Sequence, residues 1–141
     1  MLKKPRLSTY GAGVNLEKVV FGFFVLLAAT LNFGFFVGPL TDPKAHSIFE
    51  LFLAIIVNMI ATVLKFGDRT QIGAIHLASS LVATLQLLAA GATWIWATQV
   101  SDVGMDATNT AAVVSLSAGA LLANLVSVVM LVVETLTYRR R

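Results

Sequence analysis

Apolar residues run through this chain in four long blocks, Val19 to Val37, Ile48 to Leu64, Ile72 to Thr98 and Ala111 to Val133, with short polar stretches between them. The third block sets the scale. It holds no Lys, Arg, Asp or Glu, and at 1.5 Å per residue it reaches about 40 Å, beyond the roughly 30 Å hydrocarbon core of a bilayer. Each block therefore predicts a membrane-spanning helix. Breakers fall where the spans should end: Gly38-Pro39 and Asp42-Pro43 after the first, Gly67 after the second, and Asp102, Gly104 and Asp106 in a loop expected from Val100 to Asn109. The short connection Lys65 to Thr70 makes spans two and three antiparallel neighbours.

Inside the blocks, small and polar residues recur at alternating spacings of three and four. On span three they are His76, Ser79, Ala83, Gln86 and Ala90, which share one helical face while Leu77, Leu81, Leu85 and Leu88 take the others. Each remaining span has a similar seam. Every helix thus carries one carboxamide on a small-residue stripe, Asn32, Asn58, Gln86 or Asn124, with Thr62 and Ser79 on the same stripes. Seams of this kind let helix backbones approach and hydrogen-bond across a bundle, for about 0.6 to 2 kcal/mol per contact. They also suit a hydrated path, because polar groups at membrane depth are tolerated where they face a cavity.

Composition narrows the class. Of 141 residues, 57% are hydrophobic and 12% charged, which fits a single all-α membrane domain over residues 1–141 and not a soluble one. The absence of cysteine excludes disulfides and thiolate chemistry. The net charge of +3 comes from basic clusters beside apolar runs, without aromatic platforms for nucleic acid. Those clusters instead set topology. Lys3, Lys4, Arg6, Lys18, Lys65, Arg69, Arg139, Arg140 and Arg141 fall on one side of the spans and Lys44 alone on the other, so both termini are expected in the cytoplasm. The polar lead Met1 to Lys18 precedes a block longer than a signal-peptide core and without a small-x-small site, so the first span is expected to be retained.

Asp42, Glu50, Asp102 and Asp106 collect on the outer side, where they would concentrate cations. His76 and Glu134 both fall about one turn inside the cytoplasmic boundary. They can form a proton-sensitive latch, or Glu134 can reach toward Arg139 while His76 bonds a backbone carbonyl. His46 and His76 have no metal-ligand spacing, and no catalytic motif or cofactor site is present, so neither an enzyme nor a bound metal is expected.

Two passages, Glu17-Lys18-Val19-Val20-Phe21-Gly22-Phe23-Phe24 with Thr30-Leu31-Asn32-Phe33-Gly34-Phe35-Phe36, and Ala61-Thr62-Val63-Leu64-Lys65-Phe66-Gly67-Asp68-Arg69-Thr70-Gln71-Ile72-Gly73, resemble a family of small proteobacterial inner-membrane proteins known only as a domain of unknown function. The resemblance covers the first two thirds of the chain. It implies a bacterial inner membrane and no chemistry. The expectation is a four-helix membrane bundle that associates with itself in the lipid bilayer as a homo-oligomer. Its leading function is a small channel or channel-like transporter of monovalent cations, and the alternative is an accessory or scaffold subunit of a larger membrane complex.

Overall fold

The computed structural model describes residues 15–139, with side chains to Thr137; Lys3, Lys4 and Arg6, Arg140 and Arg141, and the side chain of Arg139 lie outside the described residues. Among the described residues there are four α-helices: α1 (Leu16–Phe36), α2 (Ile48–Lys65), α3 (Gln71–Ile95) and α4 (Ala107–Arg139). A single 3-10 turn, Pro43–Ala45, interrupts the α1–α2 connection, and α3 continues into a wider turn, Trp96–Val100, closed by the Ser101 N–H on the Trp96 carbonyl at 2.8 Å. All four helices are long and apolar enough to cross a membrane, which is compatible with a multi-pass membrane protein.

Side chains fix the helix starts by accepting N–H groups that no turn of helix can satisfy. Asn15 accepts from Glu17, Thr70 from Gly73 at 2.9 Å and Asp106 from Asn109 at 2.7 Å. The last of these corrects the reading of span four. Asp106 acts as a cap rather than a loop residue, so α4 begins at Ala107, four residues before the expected Ala111, and the preceding loop is short.

Consecutive helices pack side by side and α4 returns against α1, giving an up-down bundle closed in a ring. Phe35, Leu51, Leu87, Val113 and Val114 fill its interior toward the α1–α2 loop, and Phe21, Val25 and Ala61 fill it toward the α2–α3 turn. Leu85 and Leu122 point outward at 65% and 66% exposure, as lipid-facing residues do. Hereafter the α2–α3 end, with Lys18, Lys65 and Arg69, is the basic end.

One backbone position directs the α1–α2 connection. Gly38 has φ +125°, and a Cβ there would stand 2.9 Å from the Cβ of Ala45. Only glycine adopts that conformation without strain. Gly38→Ala is expected to destabilise the fold by about 2 kcal/mol, read as a lower unfolding midpoint in mild detergent.

Candidate functional site

The seams read from sequence turn inward within one chain. Asn32, Asn58, Asn124, Ser117, Ser127, His76 and Ser79 are all buried, and Gln86 is half-buried against Gly119 of α4. The polar groups follow the bundle axis because α3 and α4 run antiparallel with facing stripes. Gln86 meets Gly119, and closer to the basic end the Ser79 and Ser127 hydroxyls bond at 2.5 Å; His76 Nε2 then comes within 3.7 Å of Glu134 Oε2. From α2, Thr62 bonds the Thr84 hydroxyl at 3.1 Å and donates to the Asn58 carbonyl. On the far side, Ser117 donates to Asn32 Oδ1 at 3.3 Å and ties α4 to α1.

These bonds leave a remainder. Asn58 Nδ2 donates to the Ala54 carbonyl of its own helix, but its Oδ1 has no partner. Asn32 Nδ2, Gln86 Oε1, Asn124 Nδ2 and both ring nitrogens of His76 are likewise buried without a hydrogen bond. A buried polar group left unpaired costs roughly 1 to 3 kcal/mol, so each of these atoms calls for a partner. Water can occupy such a row, since it both donates and accepts.

The basic end is densely charged. Glu134 forms an ion pair with Lys18 of α1 in addition to facing His76. Phe21 stands edge-on to the His76 ring at 4.9 Å, and the Lys65 ammonium lies 4.3 Å from the Phe21 ring centre. Lys65 reaches Asp68 at 3.4 Å. The expected meeting of His76 and Glu134 is therefore present. In the other arrangement considered, His76 bonds a backbone carbonyl; it bonds none, and Glu134 reaches Lys18. Outside the spans, the Asp68 carboxyl is held below the usual carboxylate range, first by the Thr70 hydroxyl, then by the Thr70 N–H and Lys65, against a small opposing effect of burial.

The acids at the opposite end do different things. Asp42 accepts the Lys44 N–H and Asp106 caps α4. Asp102 is exposed, while Glu50 is half-buried in the first turn of α2 with its carboxylate over Gly34. Among the described residues, no three His, Cys, Asp or Glu side chains gather as metal ligands would. Sequence reasoning passed over His46, which is buried with both ring nitrogens against backbone carbonyls. The signal for it was the pair of breakers Gly38-Pro39 and Asp42-Pro43, which fold the connection back on α1.

Residues 45–135 match a family described as a family of unknown function (DUF6394). The second passage of the resemblance, Ala61 to Gly73, lies within that stretch and the first lies before it, so the expected family of unknown function is shown over residues 45–135. No curated protein and no solved structure matches.

Proposed function

Since the chain belongs to the DUF6394 family, which is of unknown function and brings no chemistry with it, we propose from its geometry that it is a small channel-like transport protein, passing monovalent cations along the polar axis of its bundle. The supporting observation is the row of buried, unpartnered polar atoms on Asn32, Asn58, Gln86, Asn124 and His76. It runs between ionisable groups at both ends, Glu50 at one and His76 with Glu134 at the other. The unpartnered carboxamide oxygens of Asn58 and Gln86 replace part of a cation's hydration, the N–H groups of Asn32 and Asn124 hold water beside it, and carboxylates near the openings raise its local concentration.

The membrane in this reading is a bacterial inner membrane, with the basic end and both termini in the cytoplasm, as the Lys and Arg distribution favours. The path lies inside one chain, so conduction along it does not require the homo-oligomer expected from the sequence. The test is ion movement into liposomes holding the purified protein, with K⁺, Na⁺ and Cl⁻ compared against empty liposomes. Cation flux without chloride flux supports the proposal. No flux for any ion from folded protein overturns it in favour of a non-conducting accessory subunit.

A further inference from the structure

His46 lies in the α1–α2 connection, only 8% exposed, with its ring 5.4 Å from that of Phe35. Nδ1 is 2.5 Å from the Phe35 carbonyl oxygen and Nε2 is 2.8 Å from the Pro39 carbonyl oxygen. Carbonyls only accept hydrogen bonds, and a neutral imidazole has a single N–H to give. In the neutral ring, one nitrogen lone pair would face an oxygen lone pair at hydrogen-bond distance. Only the imidazolium satisfies both contacts. The setting favours that form, because the Phe35 carbonyl belongs to the last turn of α1, the negative end of the helix dipole, where a cation is stabilised.

We propose that His46 is a proton-operated clasp: its imidazolium pins the α1–α2 loop to the end of α1, and loss of one ring proton to water releases it. Gly38 makes the fold-back that brings the ring there. Among the described residues, no charged side chain from the other helices lines the cavity beside the ring. Phe35 of α1, Trp94 of α3 and Thr110, Val113 and Val114 of α4 enclose with it a cavity of about 20 Å³. The charged groups of the connection and of the α2 turn after it are Asp42, committed to the Lys44 N–H, then Lys44 and Glu50, the last over Gly34. The carbonyls thus supply the direct stabilisation of the ring charge. Release frees the loop above the axis at the end bearing Glu50. That regulatory consequence rests on the transport reading, whereas the clasp itself does not.

The experiment uses the full chain in lipid nanodiscs, labelled with ¹⁵N-histidine, with His46→Gln assigning the two ring signals. Over a pH series, the step in which His46 goes from two ring protons to one is expected to coincide with a rise of about tenfold in hydrogen exchange of the amides between Gly38 and His46, normalised to the rate of an unstructured chain at each pH. His46→Lys, a permanent cation within reach of the same carbonyls, keeps the loop protected throughout the series. A single ring proton on His46 while the loop is still protected, or loop exchange with the same pH profile in the wild type and His46→Lys, overturns the clasp. Neither readout needs conduction, so failure here is distinct from failure of the transport proposal.

Discussion

Asp68→Ala is expected to lower the stability of the folded protein by about 2 to 3 kcal/mol, part of it recovered by adding Lys65→Met. Asp68 does two things in the α2–α3 turn. It accepts the Thr70 hydroxyl at 2.7 Å and the Thr70 N–H at 3.0 Å, which sets the cap of α3, and it pairs with Lys65 at 3.4 Å. The Lys65 side chain is only 7% exposed, so truncating Asp68 leaves a buried ammonium with the Phe21 ring as its remaining neighbour. The estimate sits below that for a fully buried pair because 26% of the Asp68 side chain meets solvent. Reversible unfolding of the four variants of the cycle in mild detergent measures the coupling. If Lys65→Met restores nothing, the whole cost lies in the cap. The same carboxylate gives the turn a pH dependence. Its folded-state pKa lies below the unfolded value, so its stabilisation is complete above about pH 4 and is lost as the pH falls through the folded value. Asp68→Ala is expected to remove that acid sensitivity.

Gln86→Leu is expected to reduce flux to the level of empty liposomes while leaving stability unchanged or raised by about 1 kcal/mol. Gln86 sits half-buried against Gly119 with its carbonyl oxygen unpartnered, so leucine of similar volume removes an unsatisfied group from the axis and breaks no bond between helices. Asn58→Leu acts in the same direction, because the one hydrogen bond lost is to Ala54 in its own helix. Packing glue would behave oppositely: each substitution would then lose about 0.6 to 2 kcal/mol of interhelical bonding and weaken the bundle. Melting and flux measured on the same preparations separate the two.

Much of this was legible in the sequence, because a helical period is a local property. The three-and-four spacing of His76, Ser79 and Gln86 fixed which face of α3 turns inward, and the matching stripes on α1, α2 and α4 converge with it on one axis. The meeting of His76 with Glu134 followed from depth alone, since antiparallel helices place equal distances from the same boundary side by side. What the sequence hid depends on tertiary geometry. Lys18 and Glu134 pair across α1 and α4, far apart in the chain, once the bundle closes into a ring. His46 lies outside the four periodic blocks, and its burial depends on the positive φ at Gly38 and the turn that follows. Asp42 and Asp106 were read as charges at a mouth; each also accepts a local N–H with a carboxylate oxygen, a role that composition does not reveal.

Access of water to the axis is the most direct test of the transport reading, and a chain without cysteine is a clean background for it. Single cysteines at Asn124, 3% exposed on the axis, and at Leu122, 66% exposed on the lipid face, are treated in liposomes with silver ions. Unreacted thiol is then alkylated after unfolding and counted by mass. The expected result is that silver protects Asn124→Cys from alkylation and blocks its cation flux, while Leu122→Cys keeps both its free thiol and its flux. An Asn124→Cys thiol that silver reaches only after unfolding, in protein shown to be folded, would contradict a hydrated path through the bundle.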